Sequence, residues 1–399
     1  MGHNSYPNVM ALVSGETGGP YPPPAPEGGG LYLLDRERQA IMQTVYTRHG
    51  YTSLHMEDLE IYGTFARDKE IGLAQPPTDL YYRGPFMAMY KMNLLNSLVG
   101  KSDCYACTQD ELLHVQELQV IGDFLSSYSG VPNIMFVHLA QYSHNDINMA
   151  KLYDEDLKSM ISTLLEKGAL TSTYLMIFGD HGFQRGEDPF MMTDQGRTEN
   201  DLPAFYLLPP EKLIKEHSEM HGNLVNNAKK LTSFWDVNQM LRQILSMSID
   251  VNTTSLFPGY EGHGTSLLKD VGDRTCQEAE IPEAYCECQD GVMDLSKEQA
   301  GDLGAAMVGD INNFLEPFSF CHHLDLETVR GGTAKLLDSI VSVRVQFDVR
   351  GGGKFEGRFS WSLAREELRE GKGVRLDLYD PTSKCVPEDH AHIKPFCFC

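Results

Sequence analysis

Three stretches of the chain are apolar at nearly every position: Ile134–Val137, Tyr174–Phe178 and Ala204–Leu208. Runs of this length without a polar face predict strands buried on both sides. Helical spacing lies between and around them. Ile41, Val45 and Tyr46 fall on one face of 36–49, and Gly50 supplies a C-cap before the β-prone Tyr51–Leu54. Further helices are expected over 111–128, stopped by Gly130-Val131-Pro132, over 147–167 and over 234–247. Doubly apolar strands alternating with helices imply an α/β domain, a mostly parallel sheet sandwiched by helices, over residues 1–270. Residues 15–30 are too rich in Gly and Pro for a regular element and read as a loop. Past Leu268 the texture changes to short alternating segments such as Ser342–Val349, followed by the turn Gly351-Gly352-Gly353. Residues 271–399 are therefore expected to form a small, Cys-rich, β-containing domain. No internal repeat is visible.

Charge narrows the partners. The chain carries a net charge of -23, with no Lys/Arg cluster, so its field repels nucleic acids and anionic membrane surfaces. The same field repels an anionic ester unless bound cations invert it locally, so any chemistry on such a substrate requires metal. No apolar run approaches the ~20 residues of a membrane span. Nine cysteines are present, and seven of them, from Cys276 to Cys399, crowd the last third. That clustering implies disulfides and an oxidising, extracellular or secretory compartment. The odd count and the absence of a leader in residues 1–30 fit a chain whose original start is missing.

In an open parallel sheet, ligands gather beyond the carboxyl ends of the strands. Phe178 ends one strand and is followed by Gly179-Asp180-His181-Gly182, a carboxylate and an imidazole side by side. Both are good zinc ligands; the plain alternative is a capping Asp and a surface His. Val137 ends the neighbouring strand, and the loop after it carries Gln141, His144 and Asp146. At the chain's beginning, Pro7 suits the first helical position, placing Ser5 or Tyr6 at an N-cap where the dipole and free N–H groups favour an anion. Taken by itself, Ser5 is equally an ordinary cap.

Ser5-Tyr6-Pro7-Asn8 followed by Ala11–Gly15 resembles the Thr-Phe-Pro-Asn segment of nucleotide pyrophosphatase/phosphodiesterases, and Gly179–Gly182 resembles the Asp-His-Gly signature of the alkaline-phosphatase/sulfatase superfamily. Gly50-Tyr51 leading to Glu57-Asp58, Gly196–Glu199 before Leu202-Pro203, and Ile281-Pro282 before Tyr285–Cys288 look most like the domain-of-unknown-function-229 (DUF229) group within it. The resemblance implies Ser5 as nucleophile beside one metal held by Asp180 and His181. A second metal would be held by His144 and His263, with Gln141 standing where the superfamily has a carboxylate and Asp146 as its possible substitute. Two divalent metals, of the zinc type, are implied. The superfamily's first strand and the metal-binding Asp at its end would precede residue 1. The implied activity is hydrolysis of a small anionic ester, or of a glycan- or lipid-linked phosphoester. The Cys-or-Ser-x-Pro-x-Arg segment that sulfatases need is absent around Ser5, which favours phosphate over sulfate. Gln141 and the missing Asp imply weakened catalysis, and at the limit an inert extracellular binding protein that keeps the fold.

Other residues compete for notice. Cys321-His322-His323 with Cys385, His390, His392, Cys397 and Cys399 has zinc-ligand chemistry but the spacing of no standard finger, and the sequon Asn252-Thr253-Thr254 sides with a disulfide-bonded secreted glycoprotein. Cys104 and Cys107 lack the strand–helix context of a redox motif. Arg197 and Glu199, expected in a long loop over 186–201, are candidates for substrate contact or for pairing with neighbours.

Overall fold

A computed structural model describes the chain except residues 1, 3, 18–31, 35–41, 60–62, 66–70, 93–94, 98–104, 109–110, 145, 184–193, 258–261, 283–284, 288–291, 338–339, 363–366 and 378–380. It divides into two compact units. The first comprises Met1–Gly19, Tyr32–Phe183 and Pro203–Asp273; the second comprises Pro20–Leu31, Gln184–Leu202 and Arg274–Cys399.

The first unit opens with helix α1 (Ser5–Val13), then α2 (Met42–Arg48) and strand β1 (Thr52–Glu57). Gly50 takes the left-handed conformation at φ 88° between α2 and β1, as a helix stop requires. Next come β2 (Leu80–Tyr82), α3 (Leu113–Ser127), β3 (Asn133–His138), and α4 (Asp154–Glu166), which is entered through a 3₁₀ turn, Met149–Tyr153. Strands β2, β1 and β3 form a parallel sheet in that order, and its last rung pairs Glu57 with His138. The alternation of side chains explains the layering. Met56, Met135 and Val137 point into a core with Leu118 and Ile121 of α3 and Leu164 of α4, while Ile134 joins Val45, Tyr46 and Leu245 on the opposite face.

Strand β4 (Leu175–Phe178) pairs with β5 (Phe205–Leu208), and this pair is antiparallel rather than a continuation of parallel order. The reason lies in the connection. Residues 184–202 belong to the second unit, and an antiparallel neighbour, unlike a parallel one, does not depend on a crossover packed against its own sheet. One face of β5 is also open: Tyr206 is 69% exposed. Helix α5 (Phe234–Ile249) completes the unit, its start fixed by a reciprocal capping box between Ser233 and Asp236.

The second unit contains β6 (Val292–Asp294), the long helix α6 (Lys297–Leu315), and four strands: β7 (Leu326–Leu337), β8 (Ile340–Val349), β9 (Gly353–Ser362) and β10 (Glu367–Arg375). All five strands form one antiparallel meander. Val343, Val345, Phe347, Phe355 and Phe359 face α6, meeting Met307 and Ile311. Helix and sheet approach so closely that a Cβ on Gly357 would lie 3.2 Å from Met307 Cγ. Three disulfides tie this unit: Cys276–Cys286, Cys321–Cys397 and Cys385–Cys399. The group of three sulfurs from Cys385, Cys397 and Cys399 is thus already spent on disulfides, which settles the tail's chemistry against a zinc finger. Cys104 and Cys288 lie outside the described residues, and Cys107 sits in a short strand, Tyr105–Thr108.

The opposite face of the meander is charged yet buried. Arg344 meets Asp201 at 3.2 Å and also bonds Glu287; Arg358 meets Glu356 at 2.7 Å and Asp201 at 3.7 Å; Lys335 meets Glu287 at 2.9 Å. Asp201 ends a helix, Asp194–Asp201, where a loop was expected over 186–201; residues 186–193 lie outside the described part. Glu199 is exposed and accepts a bond from Gln195, one turn back, and the side chain of Arg197 lies outside the described part.

This ladder predicts acid lability. Burial raises the Glu356 carboxyl, but Arg358 and Arg344 outweigh it and hold the group below its ordinary 4.5; Glu287 is likewise lowered, against its burial, by Arg344 and Lys335. A depressed carboxyl contributes stability above its unfolded pKa and loses it as pH falls through the folded value. Asp201, raised by burial, takes up its proton earlier and offsets the upper part of that loss. Thermal melts followed by tryptophan emission should therefore fall below pH 4.5, less steeply in Glu356→Gln. A melting temperature flat from pH 6 to pH 3 would refute this.

Candidate functional site

Helix α1 is anchored at its C-terminal end and open at its start. Asn238 Nδ2 donates to the Leu12 carbonyl at 2.9 Å, and the guanidinium of Arg242, buried in α5, donates to the Ser14 carbonyl at 2.7 Å. A cation at this end suits the helix dipole. The N-cap is Asn4, so Ser5 is the first helical residue and Pro7 the third, two positions later than the sequence suggested. Proline is tolerated there because first-turn N–H groups have no intrahelical partner. Asn8, buried, binds both the N–H and the carbonyl of Gly2 and so folds the preceding residues back onto the helix.

Ser5 Oγ lies 3.5 Å from His181 Nε2, and the same nitrogen lies 3.5 Å from Asp180 Oδ2. His181 Nδ1 donates to the Gly182 carbonyl at 2.6 Å, and Nε2 faces Ser5 and Asp180. This is not a serine–histidine–aspartate triad, in which the carboxylate binds the nitrogen remote from the hydroxyl. Here the carboxylate and the hydroxyl face one nitrogen. Asp180 Oδ2 is buried with no well-aligned hydrogen-bond donor. Burial pushes the Asp180 carboxyl up, but His181, His138 and the Ser5 hydroxyl outweigh it and hold it below its usual range. A ring nitrogen and a carboxylate oxygen that face one another at 3.5 Å can share a proton, take the Ser5 hydroxyl hydrogen or flank a small cation. Oxygen, nitrogen and hydroxyl donors are a set that fits a small divalent cation.

Behind this trio is a group the sequence reading passed over. His138, at the last rung of β3, lies 3.6 Å from Glu57 Oε1 and bonds the Thr64 hydroxyl at 2.9 Å. Glu57 also accepts the Thr64 N–H at 2.6 Å and faces Arg83 at 3.3 Å. Burial would lower His138, yet Glu57, Asp180 and Asp58 carry it up to about 9; Glu57, despite burial, is lowered by His138, His55 and Arg83. His138 is therefore a cation at neutral pH beside Asp180. The residue just past β1, Asp58, accepts the N–H groups of Ala140 at 2.7 Å and Gln141 at 2.9 Å and is pushed up to about 6 by burial. Glu117, also raised by burial, neighbours Asp58 and accepts the Tyr153 hydroxyl at 2.9 Å. Asp58 thus holds the loop that carries Gln141 and His144 against the end of β1.

The remaining expected ligands have settings of their own. Gln141 is buried, and the His144 N–H bonds the Ala140 carbonyl at 2.8 Å. The Asp146 carboxylate accepts the Asn148 N–H. His263 stacks on Trp235 at 4.6 Å between ring centroids, and its carbonyl accepts Gln239. Gly264, at φ 82°, makes this stack possible, since a Cβ there would lie 2.7 Å from the Trp235 backbone. Among the described residues, no third His, Cys or carboxylate atom lies within 4.8 Å of both Asp180 and His181.

A family model described as protein of unknown function (DUF229) matches residues 1–330. The chain belongs to that family. The match spans the whole first unit and extends into the second as far as β7. Neither the curated proteins nor the solved structures contain a match. No helix among the described residues is long and apolar enough to cross a membrane.

Proposed function

We propose that this DUF229 protein is a metal-dependent hydrolase of phosphate esters that uses Ser5 as its nucleophile. The observation that carries the reading is the convergence of Ser5 Oγ and Asp180 Oδ2 on His181 Nε2, each at 3.5 Å, at the open start of α1. Asp180 and His181 would hold one divalent cation; His144 and His263, with the neutral amide of Gln141, are the proposed holders of a second. Such cations supply charge that lowers the hydroxyl pKa and reverses the protein's acidic field for an anionic substrate. Ser5 Oγ attacks phosphorus, the bond to the departing alcohol breaks, and the phosphoseryl ester is released by water. The positive end of the α1 dipole receives the oxyanion. The Glu57–His138 ion pair acts on the carboxylate, keeping Asp180 ionised and available as a ligand.

The second reading, an inert binding protein, is favoured by the lack, among the described residues, of a third close ligand around Asp180 and His181. Metal content separates the two. Equilibrium dialysis of the full chain against zinc should show two tightly held ions, with Asp180→Asn weakening the tighter one at least ~10-fold. Less than one ion at micromolar zinc, unchanged in the variant, refutes the hydrolase reading.

A further inference from the structure

We infer that Asn252 carries an N-linked glycan, placed at the end of the first unit remote from Ser5. Asn252-Thr253-Thr254 is the only Asn-x-Ser/Thr sequon in the chain. A sequon becomes a site only if the chain enters an oxidising secretory compartment and the Asn is exposed outside regular structure. The disulfides argue for the first condition, and the structure supplies the second. The three disulfides are bonds that persist in such compartments and are rare where thiols are kept reduced. Asn252 is exposed, three residues past α5, after Asp250 has turned the chain through the left-handed conformation at φ 53°. Its own carbonyl accepts the N–H groups of Ser255 and Leu256, so the backbone at the acceptor is held in a defined turn.

Geometry puts the glycan away from the candidate site. Phe234, the first residue of α5, touches Phe178, which ends the strand before Asp180, with ring centroids 5.7 Å apart. Trp235, next along, carries the stacked His263. Asn252 lies beyond the other end of this 16-residue helix, about 24 Å away at 1.5 Å per residue. Around it, Met247 and Val251 are 37% and 38% exposed, an apolar shoulder that a first sugar ring covers. In the transfer, Asn252 Nδ2 bonds the anomeric carbon of a lipid-pyrophosphate-linked oligosaccharide. The bond from that carbon to the pyrophosphate oxygen breaks, and the amide proton leaves with the pyrophosphate.

The full chain, directed into the secretory pathway of cultured eukaryotic cells, tests this. Both the cell-retained and the secreted pools are treated with peptide N-glycosidase, which removes the glycan and leaves Asp in place of Asn. One downward mobility step is expected, with mass spectrometry placing the new Asp at 252. Asn252→Gln and Thr254→Ala should each run at the treated position, while Thr254→Ser, which keeps the sequon, should run at the untreated one. The conservative Thr254→Ser variant guards against loss by misfolding. The inference is overturned if the enzyme leaves the mobility of both pools unchanged, or if the step persists in Asn252→Gln.

Discussion

Ser5→Ala should lower kcat/KM for an activated phosphoester, measured with zinc in excess, by about 10³, and His181→Ala should do the same. The two losses should not multiply. Oγ and Nε2 face each other at 3.5 Å and Asp180 Oδ2 faces the same nitrogen, so removing either member leaves the others without their partner. Groups acting as one unit lose their joint effect with the first deletion. The double variant should therefore fall within a few-fold of the worse single variant, and KM should change little in all three, since the contacts removed serve the reacting oxygen. Steady-state kinetics on a panel of monoesters and diesters makes the comparison. Activity in Ser5→Ala within threefold of the parent would remove serine from the mechanism; a double variant about 10⁶ down would show two independent contributions and dissolve the unit.

Those residues were legible because their chemistry stands at the end of apolar runs. Asp180-His181 follows Phe178 after a single glycine, and polar residues set just past the end of an apolar strand leave the buried layer, so the position of the motif in the chain already announced its place in space. Ser5 was legible for a related reason: Pro7, two residues on, marks the start of a helix. Glu57, His138 and Arg83 were not. Each is a polar residue whose role comes from a partner 26 or 81 positions away, and β1–β3 pairing, which sets Glu57 opposite His138, follows from register rather than from either local pattern. The signal available was the company they keep: Glu57-Asp58 closes one buried strand and His138 ends its neighbour, both at the carboxyl edge of the parallel sheet.

The direction of β5 was illegible on similar grounds. An apolar five-residue run cannot state whether its neighbour runs with it or against it; the intervening chain decides, and 184–202 joins the other unit through Asp201 and its two arginines. Local hydrophobicity has no term for an ion pair formed 143 residues away. The charged face of the meander escaped notice because alternation of apolar and charged residues in 342–349 normally marks a solvated face. In this protein the charges Arg344, Glu356 and Arg358 are buried against one another.

Cys321→Ser with Cys397→Ser is expected to destabilise the second unit by about 4 kcal/mol, the largest stability loss available from one covalent link. The bond closes a sequence separation of 76 residues, against 14 for Cys385–Cys399 and 10 for Cys276–Cys286, and the entropy it withdraws from the unfolded chain grows with the logarithm of that span. The loop it closes holds all of β7 through β10, so opening it frees every long strand of the meander at once. Packing adds to the loss. Cys397 is fully buried in the core that holds Phe347, Phe355 and Ile393, and serine there places a hydroxyl among apolar side chains. Urea unfolding followed by far-UV circular dichroism, with the other two disulfides intact, measures the difference. Cys385→Ser with Cys399→Ser should cost about 3 kcal/mol by the same relation, because its loop is shorter and Cys399 is exposed. Equal losses in the two variants, or a larger one for the short loop, would show that native packing rather than chain entropy sets the contribution of these bonds.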